Sequence, residues 1–296
     1  MTALRQAFAT VAAVVVLVLG TGAPALAHAG GLTATDVRGR VVAVTPGVAG
    51  LAVTAIEDGA RLRLRNDTAV AVTVPAGGGT ATPAVVGPGT ERTWLDSRST
   101  AVGRTVAPGR TEPWSLVLDV GGTPVTVSGE LTGGQPPAAL PWWVATVVLA
   151  VAVPVMSRRL RRPDLVLAAA GAVALAASAA HVTGSTLAVE SAPALGTFLG
   201  ACGVNLLGWP LVAGGAAVVL RGRPAGVLGV CAGAALIAVS VLPDVTSFHR
   251  AVLPFAGPAA AERALVVLTL GAGVGVAVAG AAVLRTFSAR SGAEAA

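Results

Sequence analysis

Pro124-Val-Thr-Val-Ser-Gly-Glu-Leu131 is followed ten residues later by Pro141-Trp-Trp-Val-Ala-Thr-Val-Val-Leu-Ala-Val-Ala-Val-Pro154, and the change between them decides the fold. The first stretch alternates polar and apolar side chains with period two, as a strand with one wet and one buried face does. The second has no charge until Arg158 and Arg159 and is long enough, with its flanks, to cross a bilayer. The chain therefore divides near residue 138 into a strand-rich part and a membrane part.

Upstream, Arg38–Val44, Leu51–Ile56, Ala60–Arg65, Ala69–Val74 and Trp114–Val120 read as further strands. Arg61, Arg63 and Arg65 against Leu62 and Leu64 give the clearest alternation. Turn signals separate them at Pro46-Gly47, Asp58-Gly59, Asn66-Asp67, Gly77-Gly78-Gly79, Pro88-Gly89 and Gly121-Gly122. Six to eight short strands over residues 28–138, with no helical window, predict an antiparallel, Ig-like β-sandwich. Ahead of it, Arg5, the apolar run Ala7–Leu19 and Ala25-Leu26-Ala27 have the layout of a signal peptide over 1–27, cleaved to leave His28 first.

Downstream, five uncharged runs at 140–157, 165–182, 193–220, 225–242 and 264–285 predict a five-span helical domain over 139–286, with 287–296 as a cytoplasmic tail. Pro210 predicts a kink in the long third run, with a broken helix as the alternative. Arg158, Arg159, Arg161, Arg162, Arg221, Arg223, Arg285 and Arg290 fall on one side, and only Arg250 and Arg263 on the loops of the other. The positive-inside rule then puts the strand domain outside the cytoplasm, in agreement with the leader. Trp142 and Trp143 are expected as interfacial anchors. Gly196/Gly200, Gly229/Gly233 and Gly271/Gly275 have the small-xxx-small spacing of close helix packing.

Composition agrees with this division. The 296 residues are 54% hydrophobic and 11% charged, where an ordinary soluble domain carries about 25% charge. All 20 positive side chains are arginines, and the net charge is +6. Because many of them cluster beside apolar runs, and aromatics are only 3%, nucleic acid is not expected as a partner. The lipid bilayer is, together with other membrane proteins.

Chemistry-bearing residues are sparse. Two cysteines, Cys202 and Cys231, are expected at different depths as inert buried thiols. No G-x-S-x-G motif and no paired His and Cys occur in the strand domain, so no catalytic residue is assigned and a non-enzymatic protein is expected. Asp96 and Arg98 are expected to pair on the surface. No buried acid or base is expected within a span, which disfavours a pump or proton-coupled transporter, and Asn205 is expected to bond a neighbouring helix. The three histidines all fall on the outer side. His28 can chelate Cu(II) through its α-amine and ring together, and His181, His249 and Asp244 complete the candidate metal set.

His28-Ala-Gly-Gly-Leu32, Arg40-Val-Val-Ala-Val-Thr-Pro46, Ala60–Asn66, Arg92-Thr-Trp94 and Glu112-Pro-Trp-Ser-Leu-Val-Leu118 resemble a group of exported, membrane-anchored β-domain proteins of high-GC bacteria. That resemblance implies the same architecture: signal peptide, β-domain, then several spans of the cytoplasmic membrane. The opening His28-Ala29 also resembles CopC-like copper carriers, which implies a copper-binding amino terminus. The expected role is binding or assembly at the outer membrane face, with copper handling as one form of it. A permease-like subunit and a scaffold for a membrane enzyme complex are the alternatives.

Overall fold

The computed structural model describes residues 29–76 and 83–293. The leader at 1–27, His28 and the expected turn at Gly77–Gly79 lie outside the described residues. Among the described residues the first half forms eight antiparallel strands: β1 (Val37–Thr45), β2 (Leu51–Ile56), β3 (Arg61–Asn66), β4 (Val72–Val74), β5 (Ala84–Val86), β6 (Thr90–Trp94), β7 (Thr111–Val120) and β8 (Thr123–Gly133). A five-stranded sheet has the order β1-β8-β7-β4-β5 and a three-stranded sheet the order β2-β3-β6. The sequence reading passes over β5 and β6, which are too short for a periodic signal of their own.

Period-two patterning fixes which residues face inwards. Trp114, Leu116, Leu118 and Val120 of β7 are buried in alternation, and so are Leu62 and Leu64 of β3. These side chains from the two sheets belong to one core with Val53, Val72, Trp94, Val125 and Leu131. Val120 pairs with Thr123 across the two-residue turn Gly121-Gly122, where both glycines have positive φ (56° and 89°) as such a tight hairpin requires. Gly129, opposite Trp114, has no side chain because the indole and the Arg40 carbonyl occupy the space a Cβ would need.

Asp96 corrects an expectation. Its pair with Arg98 forms, at 2.7 Å, but the Asp96 side chain is only 1% exposed rather than on the surface. It accepts the backbone N–H of Arg98 (3.0 Å) and the Trp94 indole N–H (3.5 Å) as well. Burial alone pushes this carboxyl up, but the hydrogen bonds and positive charge of Arg98 outweigh it and hold the group below the usual carboxylate range. A depressed folded-state value means stability that is present above the unfolded value of about 4 and lost as pH falls through the folded one. Asp96→Asn is therefore expected to cost about 1–3 kcal/mol at pH 7, with the gap to the parent closing at acid pH. Thermal unfolding of both proteins between pH 3 and pH 7 checks this, and a pH-independent gap would contradict it.

The second half forms six α-helices: α1 (Leu140–Arg159), α2 (Pro163–Leu187), α3 (Ala194–Cys202), α4 (Asn205–Leu220), α5 (Gly226–Ser240) and α6 (Ala259–Ala293). A 3-10 segment, Leu242–Phe248, follows α5. Three stretches are long and apolar enough to cross a membrane: α1, α2 and Ala259–Ala281 of α6. The count rises to five if each bent pair is one span, α3 with α4 (71°) and α5 with the 3-10 segment (54°). The bend in the expected third span lies at Gly203 (φ 46°, ψ −126°), a conformation only glycine adopts readily, and Pro210 sits inside α4.

Two of the three glycine pairs pack as their spacing predicts. A Cβ at Gly233 would meet the Gly208 carbonyl at 2.6 Å, and one at Gly271 the Thr146 carbonyl at 2.9 Å. Gly196 and Gly200 of α3 face open space instead. Cys202 and Cys231 are both free thiols. Asn205 bonds across helices as expected, accepting the Ser240 hydroxyl of α5 at 2.9 Å.

Candidate functional site

The two halves meet in a polar seam built from one strained turn and two loops of the helical half. Between β2 and β3, Glu57 (φ 54°) and Asp58 (φ 55°) both take the left-handed conformation that side-chain-bearing residues avoid. Gly59 completes the turn at φ 92°, where a Cβ would strike the backbone of Gly39. The strain points the Glu57 carboxylate at the loop between α2 and α3. Its Oε1 accepts the N–H groups of Glu190 (3.1 Å) and Ser191 (2.9 Å), and its Oε2 takes Arg61 Nη1 at 2.7 Å. Arg61 also donates to the Ser191 hydroxyl and the Gly30 carbonyl, and Arg63 to Glu190. The arginine face of β3, read in the sequence as wet, is thus in part a docking face.

A second clamp joins the start of β1 to the loop before α6. Asp36 accepts Arg250 Nη1 at 2.5 Å and the Ala251 N–H at 3.0 Å. Thr35 and Val252 exchange two backbone hydrogen bonds of 2.9 and 2.8 Å, an antiparallel bridge between the two halves.

Directly below this seam lies a buried ionisable cluster. His181 on α2 stands between two carboxylates: its Nε2 is 3.2 Å from Asp244 Oδ2 and its Nδ1 is 2.9 Å from Glu262 Oε1. Asp244 belongs to the 3-10 segment, and Glu262 to the first turn of α6. All three side chains are at most 8% exposed. Next to Glu262, Arg263 is buried and donates to the carbonyls of Ser247 (2.9 Å) and Arg250 (2.8 Å), holding the end of the 3-10 segment. Phe248 packs beneath it against Trp142 and Trp143, so these tryptophans have a protein partner besides any lipid interface.

The sequence shows no buried acid or base mid-span; the structure buries an acid and a base in the opening turn of α6, Glu262 and Arg263. The uncharged fifth run begins at 264, which puts Arg263 in a loop and leaves Glu262 outside the span, whereas α6 starts at Ala259. Pro258, an acid four residues on and the apolar positions beyond it form the helix-start signal that locates it.

Of the candidate metal residues, the structure brings together His181 and Asp244 alone. His249 is exposed, and its Nε2 accepts the Trp143 indole N–H at 3.3 Å. Among the described residues no group of three His, Cys, Asp or Glu side chains is placed to hold a metal ion. The reason is geometric: Asp244 and Glu262 address different nitrogens of one imidazole, so they do not converge on a point with it.

No protein-family profile, no curated protein and no solved structure matches this chain.

Proposed function

We propose that this chain is a non-enzymatic, multi-pass protein of a bacterial cytoplasmic membrane that presents an extracytoplasmic β-sandwich for binding or assembly. In this reading the two sheets form an Ig-like sandwich over their shared core, each bent helix pair is one span, and five spans anchor the domain. The observation that carries it is the seam: Glu57 and Asp36 key the β-domain to two loops at one end of the helices, which holds it at a fixed attitude above the bilayer. Eight arginines at the opposite end support an outward-facing domain. Copper handling enters through His28 and its α-amine, as a Cu(II) ligand pair at the mature terminus.

In a Cys202→Ala/Cys231→Ala background, Thr123→Cys is expected to react with a membrane-impermeant maleimide in intact spheroplasts. Arg161→Cys, between α1 and α2, reacts only after lysis. The reverse pattern overturns the proposal. Extraction in native nanodiscs tests assembly, where a particle containing the chain alone would argue against it.

The buried His181 cluster favours a second reading, a permease-like subunit, since ionisable groups inside a membrane are costly and often functional. It requires that purified protein in proteoliposomes moves an ion or solute and that Glu262→Gln stops it.

A further inference from the structure

Each ring nitrogen of His181 faces its own carboxylate, Asp244 at Nε2 and Glu262 at Nδ1. A neutral imidazole has one N–H and can donate to only one of them, whereas the imidazolium has two. Arg263 stands beside Glu262, and its guanidinium is committed to the carbonyls of Ser247 and Arg250. A protonated ring offers positive charge and an N–H to each of the two carboxylates at once. Buried charges are tolerated when paired in this way and are costly otherwise.

Around the cluster, Trp142 and Trp143 of α1 pack against Phe248 at the end of the 3-10 segment, and α5 ends in Ser240. His249 faces outwards against Trp143, and Arg250 is paired with Asp36 in the seam. A second feature is that, among the described residues, Glu262 Oε2 and the hydroxyls of Ser185 and Ser247 are buried without hydrogen-bond partners, and His181 Nδ1 is close to Glu262 Oε1 but not aligned for a hydrogen bond. Ser185 lies one turn from His181 on α2, and Ser247 three residues from Asp244, positions that share a side of a 3-10 segment. The cluster thus holds spare donors and acceptors that can re-pair when its proton count changes.

The cluster is also mechanically placed. The 3-10 segment that carries Asp244 runs directly into Arg250, Ala251 and Val252, which grip Asp36 and Thr35 of the β-domain. Arg263 holds that same connection through two carbonyls while its neighbour Glu262 meets the ring. We infer that His181, between Asp244 and Glu262, is a proton-binding site that fastens the 3-10 segment to α2 and α6 and so governs how firmly the β-domain is seated on the membrane half. The ligand is a proton drawn from the outer solvent. Its loss opposes two buried carboxylates across a ring with one N–H, and the segment leading to the seam loosens. The inference goes beyond the proposed presentation role and does not depend on what the β-domain binds.

Full-length protein labelled with nitrogen-15 histidine in lipid nanodiscs tests the first half, with His28→Gln and His249→Gln to assign the other two histidines and so His181 by elimination. At pH 7 both ring nitrogens of His181 are expected to carry protons; a ring with a single N–H overturns the proposal, and this measurement leaves His181 itself unchanged. Hydrogen exchange at Thr35, Ala251 and Val252 tests the second half. His181→Gln is expected to speed exchange there by about tenfold or more. His181→Gln/Glu262→Gln, which removes one negative charge with the positive one, returns it to within about threefold of the parent. Unchanged exchange in the single variant overturns the coupling, and equal loss in both variants reduces the cluster to packing.

Discussion

Glu57→Ala undocks the β-domain from the helices and lowers stability by about 3–5 kcal/mol, the usual cost of removing one partner from a buried ion pair. The Glu57 side chain is fully buried, and one carboxylate serves three donors: Arg61 and the N–H groups of Glu190 and Ser191. Alanine leaves two backbone donors and a guanidinium that is 27% exposed without their acceptor. It also keeps the left-handed backbone at φ 54°, so the turn remains strained with nothing holding it. Glu57→Gly separates the two contributions, since glycine relieves the backbone by about 1 kcal/mol while losing the same contacts. Glu57→Gln retains one acceptor oxygen and is expected to be milder than either. Hydrogen exchange at Glu190 and Ser191, with limited proteolysis of the 134–139 connection, reads undocking directly. Slow exchange and an uncut connection in Glu57→Ala would show that Asp36 and the Thr35–Val252 bridge suffice.

Most of the architecture was legible because it rests on two periodicities. The predicted limits of β2 are those observed, and those of β1, β3, β7 and β8 differ by at most three residues at any one end. The third expected span breaks where Gly203 permits it, one of the two outcomes its length allowed. The site was legible only in pieces. His181 and Asp244 stood out as outer-side ligand types, but the pattern that identified spans also ended each of them at the first charge. That rule excludes by construction a carboxylate and a guanidinium in the opening turns of a buried helix, which is where Glu262 and Arg263 stand. Likewise, period two identifies Arg61 and Arg63 as facing away from the core, and cannot say that the loop between α2 and α3 comes to meet them. Contacts between distant segments depend on side-chain geometry at helix ends, where local patterning carries least information.

The helical half depends on a different kind of contact, and Gly215→Val tests it. Between lipid-embedded helices there is no hydrophobic gain from association, so close van der Waals packing carries the attraction. At the crossing of α4 and α5, a Cβ on Gly215 would lie 2.6 Å from both the Gly226 carbonyl oxygen and the Val230 nitrogen. Both are backbone atoms, so no rotamer change makes room and the helices must separate. Core overpacking commonly costs about 1–3 kcal/mol, and a clash against backbone on two sides is expected to reach or pass the upper end of that range. Gly214→Val is the matched control: same helix, same chemistry, next position, with nothing within 4 Å of its added Cβ. Trp209 reports the outcome from the same helix, because its indole N–H bonds Ser178 of α2 at 3.1 Å and its ring lies 6.4 Å from that of Phe198. In nanodiscs, Gly215→Val is expected to lose the cooperative thermal transition in Trp fluorescence, or to show it well below the parent's, while Gly214→Val stays within about 1 kcal/mol. Equal transitions for the two variants would mean that α4 and α5 do not cross at glycine, and the packing that orders this half of the molecule would have to be sought elsewhere.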